Sequence, residues 1–358
     1  MKIAIIGLPQ SGKTTVFNLL TESNVDTSSF SAGKTAPNIS VVKVPDKRVD
    51  LLTDIYKPKK KTYAEIVFED FVGIKKEGKK KVSLFSEAVK QADALVHVCR
   101  IFENDTVPHP SGKVCPLGDA ETIELELILA DLIHVENRLE RLQIELNRKK
   151  TPDLEIEADL MPRLKEHLES EKPLRDFPFT ELEDKVVRGY CYLSKKPLIL
   201  VANVDENQLS DPPVKALEEF AKNNNLEFQV LCASLEMEIS QMSEEEQKTF
   251  FTEYGIEKSA RDIFIRKAYE ILGLISFFTV GDDEVKAWTV IKGTEAMFAA
   301  GVIHSDLQRG FIRSETVSYN DFIEAGSMVK VKEKGHLRQE GKTYIVQDGD
   351  IMNIKFNV

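Results

Sequence analysis

Positive charge is the scarce property of this sequence: 48 Lys and Arg stand against 59 Asp and Glu, giving a formal charge of -11 over 358 residues. A deficit of that size excludes a surface built throughout to hold nucleic acid or anionic lipid, and confines any RNA contact to a local patch. Cysteine is nearly as sparse. Cys99, Cys115, Cys191 and Cys232 are far apart and form no CxxC pair, so neither a zinc site nor a disulfide framework is expected and a reducing cytosol fits. Long apolar runs are missing too, since stretches such as Leu198 to Ala202 fall well short of the roughly 18 to 20 residues a membrane helix needs. The opening Met1-Lys2-Ile3-Ala4-Ile5-Ile6 runs into Gly7 without a small-residue cleavage site, so no signal peptide, no membrane and a cytoplasmic location are expected. There is no internal repeat and no low-complexity tract. What remains is 42% hydrophobic and 30% charged, long enough for two or three globular units.

The apolar pattern begins with Ile3 to Ile6, a β-branched run closed by glycine, followed by a helix starting at Lys13. Ile39 to Val44, Ala64 to Asp70, Ala94 to Val98, Leu198 to Val201 and Phe228 to Leu231 read as further strands, with helical patterns between most of them. That alternation implies a doubly wound, mainly parallel α/β sheet. It is interrupted after about residue 120, where Leu125, Ile128, Leu132, Val135, Leu139, Leu142 and Leu146 form a heptad seam. With a proline-punctuated polar stretch from Pro152 to Phe179 and a second helix-like stretch from Glu181 to Leu193, this reads as an inserted antiparallel helical hairpin. The alternative is an ordinary amphipathic helix on the sheet. From Gly273 onward short β-type segments, among them Ala287 to Ile291 and Thr343 to Gln347 ahead of the turn Asp348-Gly349-Asp350, point to a small β-rich C-terminal domain.

Gly7-Leu8-Pro9-Gln10-Ser11-Gly12-Lys13-Thr14 matches GxxxxGK[ST] between a strand and a helix, the setting a phosphate loop requires. The glycines let successive N–H groups turn inward to phosphate oxygens, and the helix N-terminus adds its positive end. Lys13 should reach the β and γ phosphates, and Thr14 should bind Mg2+. Asp70-Phe71-Val72-Gly73 ends a strand and fits DxxG, whose aspartate holds Mg2+ through water; an ordinary strand-end turn is the alternative.

Leu198-Ile199-Leu200-Val201-Ala202-Asn203-Val204-Asp205-Glu206 resembles the base-recognition strand of the Obg-like ATPase (YchF) family, which carries N-x-x-E where translational GTPases carry NKxD. Glu206 is longer than the aspartate that grips guanine, and Val204 replaces the lysine whose stem flanks the base. Asn203 can still pair with the N6/N7 edge of adenine. The resemblance runs through Pro37-Asn38, Val44-Pro45-Asp46, His97 to Arg100, Glu126 to Leu132 and Cys232-Ala233. It is densest in the C-terminal part, through Phe277-Phe278-Thr279, Ala287-Trp288-Thr289, Gly301 to His304, Arg309 to Arg313 and Gln347 to Asp350, which is similar to a TGS domain.

The resemblance implies a Ras-like P-loop NTPase domain over 1–119 and 197–275, a coiled-coil insertion over 120–196 and a β-grasp TGS domain over 276–358. It implies ATP binding preferred over GTP, slow hydrolysis and a ribosome partner, rRNA and ribosomal proteins; Mg2+ is expected from the phosphate-site motifs, and no DNA partner and a monomeric chain are expected beside it. Thr15, Ala233 and Ser234 join the nucleotide contacts, Thr35 the metal site, and His109 becomes the catalytic candidate, because Ile74 stands where many GTPases place a water-orienting glutamine. Lys292, Arg309 and Arg313 become candidate RNA contacts, with surface ion pairing to Asp306 and Glu315 as the alternative.

Several positions depart from the family pattern. Ile74 to Lys81 is lysine-rich and shorter where the family has a glycine-rich switch, and with Lys57, Lys59, Lys60 and Lys61 it forms either a patch for RNA phosphates or a solvated loop pair. Thr35 is one residue nearer to Pro37-Asn38 than the family spacing. Gln10 replaces the asparagine that related enzymes link to potassium, which leaves potassium dependence open. Two other readings stand beside the ATPase: a GTP-preferring enzyme on the same site, and a nucleotide-stabilised scaffold without useful turnover.

Overall fold

The computed structural model describes residues 1–23, 25, 38–71, 85–104, 106–148, 151–253 and 259–357. Thr35 and the segment from Ile74 to Lys81 lie outside the described residues. In chain order the strands are β1 (Lys2–Ile6), β2 (Asn38–Lys43), β3 (Lys60–Thr62), β4 (Glu65–Asp70), β5 (Ala94–Arg100), β6 (Leu198–Asn203), β7 (Glu227–Leu231), β8 (Leu274–Thr279), β9 (Glu284–Ile291), β10 (Phe311–Ser318), β11 (Arg338–Glu340) and β12 (Asp350–Phe356). The helices are α1 (Lys13–Thr21), α2 (Lys47–Tyr56), α3 (Glu87–Lys90), α4 (Pro116–Arg148), α5 (Pro152–Glu169), α6 (Glu181–Val187), α7 (Lys215–Asn223), α8 (Ala233–Gln241), α9 (Glu244–Glu253), α10 (Ala260–Ile271), α11 (Ala296–Ile303), α12 (Ser305–Arg309), α13 (Tyr319–Ala325) and α14 (Met328–Glu333). Two compact units result, Met1–Ser40 with Val67–Ala260, and Val41–Ile66 with Arg261–Val358.

In the sheet that carries β1, the order is β2-β4-β1-β5-β6-β7, with β4, β1, β5, β6 and β7 parallel. Each of its six strands matches a run expected from sequence. Strands β5 and β6 are buried along their whole length, which is why they read as unbroken apolar runs rather than alternating ones. The connections from β1 lead to one side and those from β4 cross to the other, so strand order reverses around β1. The carboxyl end of the strand beside such a reversal is where an open α/β sheet binds ligand.

The helical hairpin is present, but its second arm is not where sequence placed it. Helix α4 buries Ile128, Val135 and Leu142 against Leu160, Met161, Leu164 and Leu168 of α5, which begins at Pro152. The polar, proline-punctuated look of 152–169 misleads because its prolines are tolerated in this helix. Pro152 occupies the first turn, where a missing N–H costs nothing, behind a Thr151 cap that accepts from Leu154 N at 3.4 Å, and Pro162 sits inside the helix. The stretch expected as the second arm supplies only the short α6. Leu125 also leaves the seam at 39% exposure, because at that level α4 turns Ile123 and Leu127 toward the sheet-side core.

The second unit's sheet has the order β11-β10-β12-β8-β9-β3. Two antiparallel pairs, β8/β9 and β10/β12, meet at a parallel β8/β12 contact, and α11 packs Ala296, Ala299 and Ala300 into a core with Phe277, Phe311 and Met352, the arrangement of a β-grasp. Strand β3 closes the edge through parallel pairing with β9, Lys61 opposite Val285, which draws Val41–Ile66 into this unit. Lys59, Lys60 and Lys61 consequently meet Asp283 at 2.8 Å, Glu284 at 3.1 Å and Asp50 at 2.8 Å, so that part of the expected basic patch is neutralised by local carboxylates.

Thr343 to Gln347, expected as β-type, is not a strand and makes one isolated bridge, Ile345 to Glu295. The buried carboxylate of Asp350 accepts from Gln347 N at 2.9 Å and Tyr344 Oη at 2.8 Å, using donors on a turn that an extended ladder would have spent elsewhere.

Candidate functional site

Strand β1 runs between β4 and β5 with Ile5 opposite both Asp70 and Val96, so the loop leaving β1 at Gly7 starts level with the Asp70 carboxylate. The backbone of this loop takes positive φ at Gly7 (144°), Gln10 (63°) and Gly12 (92°). A Cβ on Gly7 would lie 2.5 Å from the Val98 carbonyl oxygen, and one on Gly12 would lie 2.2 Å from Asn203 Nδ2. The Val98 oxygen belongs to the β5 backbone and cannot yield as a side chain can. Gly7→Ala is therefore expected to cost about 2 kcal/mol or more of stability, read as a lower urea midpoint, and to weaken nucleotide binding in parallel.

Ser11 and Lys13 are buried within the loop, and Lys13 Nζ donates to Leu8 O at 2.7 Å. Burial pushes the Lys13 ammonium down to about 8, with the Asp70 carboxylate pulling the other way. Asp70 is itself pushed up by burial, against the hydrogen bond from Thr14 and the charge of Lys13. Thr14 Oγ1 donates to Asp70 Oδ2 at 2.9 Å, and Asn38 Nδ2 donates to the same oxygen at 3.4 Å. Asp70 Oδ1 is buried and has no hydrogen-bond partner among the described residues. A carboxylate oxygen and a hydroxyl side by side, with one buried oxygen unengaged, are the hard donors that suit Mg2+. Beneath the loop, His97 is fully buried and pushed down to about 3 by burial, then by Lys13, so it is neutral at physiological pH.

Asn203, at the end of β6, ties three segments together. Its Nδ2 donates to Ser11 O at 3.2 Å and its Oδ1 accepts from Ala233 N, at the start of α8, at 3.3 Å. The phosphate loop, the base-site strand and the helix after β7 are thereby held in one register.

Residues 2–140 match a family model described as 50S ribosome-binding GTPase, and residues 274–357 match YchF-GTPase_C, described as a protein of unknown function, DUF933. The chain is 43% identical over 361 residues to the ribosome-binding ATPase YchF of Bacillus subtilis, covering 99% of this chain and 98% of that protein. It is 37% identical to Obg-like ATPase 1 of Caenorhabditis elegans, covering 100% of this chain and 92% of that one. The structure of the Schizosaccharomyces pombe YchF GTPase superposes with a TM-score of 0.86 at 29% identity, covering 99% and 97% of the two chains.

The chain belongs to the YchF/Obg-like ATPase family. Against the family pattern, the structure brings Gly7 to Thr14, Asp70, Asn203 and Ala233 together, while Leu8, Pro9, Gln10 and Thr15 stay accessible on the loop and the first turn of α1. Val204 departs from the family expectation of a base-flanking position: it is 2% exposed and packs into the sheet core. Glu206 and Ser234 are exposed. His109, the catalytic candidate, is buried, with Nε2 3.0 Å from Asp119 Oδ2 and Nδ1 2.7 Å from Ser111 Oγ. Sequence reasoning did not single out the contacts of Asn38, His97 and Asp119. Asn38 and His97 lay inside family-like strings and carried no signal of their own. Asp119 sits ten positions beyond His109, and no spacing rule joins a loop histidine to the first turn of a later helix.

Among the candidate RNA contacts, Arg309 pairs with Asp306, whereas Lys292 and Arg313 are exposed and unpaired among the described residues. Among those residues no helix is long and apolar enough to cross a membrane.

Proposed function

We propose that this chain is a cytoplasmic ATPase that binds Mg-ATP at Gly7 to Thr14, hydrolyses it slowly to ADP and phosphate, and couples the bound nucleotide to association with the ribosome. The observation that carries the reading is the pairing of Thr14 with Asp70 beneath a left-handed phosphate loop, with Asp70 Oδ1 unengaged. The loop N–H groups and Lys13 bind and orient the phosphates. Thr14 and Asp70 would hold Mg2+, which neutralises charge developing on the β and γ oxygens when bound. His109 positions the attacking water once its loop presents the ring. Thr35 would sense the γ-phosphate.

The names of the relatives support ATP and the ribosome, and the exposed Glu206 with Val204 drawn into the core supports weakened guanine reading. The insertion over 120–196 and, separately, the TGS domain over 276–358 with Lys292 and Arg313 each offer a ribosome-facing surface, and the chain acts as a monomer. Calorimetric titration of the Mg2+-loaded protein with non-hydrolysable ATP and GTP analogues tests the base preference. ATP is expected to bind about tenfold tighter or more, a difference of about 1.4 kcal/mol. Equal or GTP-favouring affinity would move the assignment to a GTPase. Binding without turnover above the Lys13→Ala background would make it a scaffold.

A further inference from the structure

His109 is 8% exposed and Asp119, in the first turn of α4, is 7% exposed, and the two meet through His109 Nε2 and Asp119 Oδ2 at 3.0 Å. The opposite ring nitrogen, Nδ1, lies 3.3 Å from the backbone N of Ser111 and 2.7 Å from its Oγ. A backbone N–H can only donate, so Nδ1 must accept, and the imidazole proton of the neutral ring must sit on Nε2, donating to the carboxylate. Ser111 Oγ has one proton for two neighbours, Nδ1 at 2.7 Å and Lys113 O at 3.0 Å, and because Nδ1 carries no proton the hydroxyl donates to Nδ1. The carboxylate is itself set by the fold: the chain enters α4 through Cys115, whose carbonyl accepts from Asp119 N at 2.9 Å.

We propose that Asp119 is the positioning residue of His109: it fixes the Nε2–H tautomer and the ring plane, so that Nδ1 is the nitrogen whose lone pair meets the attacking water when Ser111 releases it. The inference rests on the reading of His109 as the water-positioning group. A base held by a third group that sets its tautomer is a recurrent solution for activating a weak nucleophile, and it explains why a loop histidine is buried against an acid rather than left open. Release of Ser111 requires only the surface side of the loop to move, since Ser111 is exposed while Asp119 is anchored on a helix of 33 residues. Proton balance is simple: the water proton passes to Nδ1, the ring becomes imidazolium with both nitrogens protonated, and the Asp119 carboxylate compensates the charge until the proton leaves with the phosphate product.

The test uses the full chain. Steady-state ATP hydrolysis is measured for the wild type, His109→Ala, Asp119→Ala, Asp119→Asn and Asp119→Glu, and 15N-histidine NMR reports which ring nitrogen of His109 carries the proton. Asp119→Ala is expected to lower kcat at least about tenfold, toward the His109→Ala level, with KM for ATP changed less than about twofold, and to lose the Nε2–H signature. Asp119→Glu is expected to recover part of both. Asp119→Asn keeps the shape and guards against a variant that fails to fold; it is expected to lower kcat because a neutral amide holds the ring proton less firmly. Wild-type kcat in Asp119→Asn and Asp119→Ala alongside an inactive His109→Ala overturns the proposal and leaves the role of His109 intact. Wild-type kcat in His109→Ala defeats the functional reading instead, and an Nε2–H signature unchanged in Asp119→Ala then overturns the pairing as well.

Discussion

Lys13→Ala is expected to weaken Mg-ATP binding about a hundredfold or more and to reduce hydrolysis to background, as measured by calorimetry and phosphate release. The reason is physical rather than a matter of motif. Lys13 is 7% exposed, and its ammonium donates inside the loop to Leu8 O, so the protein has already met the cost of burying this charge. A phosphate brought to the loop gains a cation with little remaining solvent to shed, and the alanine variant forfeits that gain in full. Burial holds the Lys13 pKa near 8, well below its ordinary value, with Asp70 pulling against the shift.

The sign of the linkage follows. Below about pH 8 the folded protein carries the charge and bears its desolvation cost. Between there and the ordinary lysine value the unfolded chain is protonated and the folded one is not, so Lys13's contribution to stability rises with pH. Nucleotide binding runs the other way, because the phosphates need the charged form. Affinity is expected to fall as pH rises above about 8, and binding at pH 8.5 to take up protons, seen as a dependence of calorimetric heat on buffer ionisation enthalpy. Lys13→Ala should abolish the uptake. A wild-type titration with no buffer dependence at that pH would show that Lys13 is not the group being charged.

Asp131→Ala is expected to cost about 3 kcal/mol or more of stability while leaving nucleotide affinity within about twofold. Asp131 lies in α4 at 3% exposure, and its carboxylate accepts from Leu193 N at 2.8 Å, Ser194 N at 2.7 Å and Ser194 Oγ at 2.7 Å. Burial pushes the carboxyl up to about 6 in spite of these donors, so it is still ionised at neutral pH and the three bonds are charge-assisted. Ser194 in turn accepts from Leu174 N through its hydroxyl at 3.1 Å and from Arg175 N through its carbonyl at 3.0 Å. One carboxylate therefore joins the hairpin to the segment that returns to β6, and alanine would leave two buried backbone N–H groups without acceptors. Urea unfolding gives the stability change and calorimetry the affinity. A loss of affinity as large as that of Lys13→Ala would mean that the joint also shapes the phosphate site.

The family-like string Glu126 to Leu132 contains Asp131, yet its partners lie more than sixty residues away, and nothing local distinguishes it from the exposed acids along the same helix. Asp119 and His109 pose the same difficulty at shorter range. Helical periodicity shows which face of α4 is apolar, but it does not show which polar side chain a loop will fold onto.

What the sequence determined alone is whatever depends on local pattern. The glycine spacing of the phosphate loop, the apolar runs of β1, β5 and β6, and the heptad repeat of α4 follow from backbone sterics and periodic burial, and the structure bears out the three strands and, from Ile128 onward, the heptad repeat. Tertiary structure decided what depends on pairing at a distance: β3 on the edge of the second sheet, α5 as the hairpin's second arm, Val204 in the core, Asn203 joining three segments, and His109 on Asp119. For β3, Asn203 and His109 the stabilising partner is a backbone group or a buried carboxylate that no local pattern marks, and for α5 and Val204 it is an apolar face supplied by other elements. Burial turns one such hydrogen bond into a structural commitment, because its donor or acceptor has no water to return to.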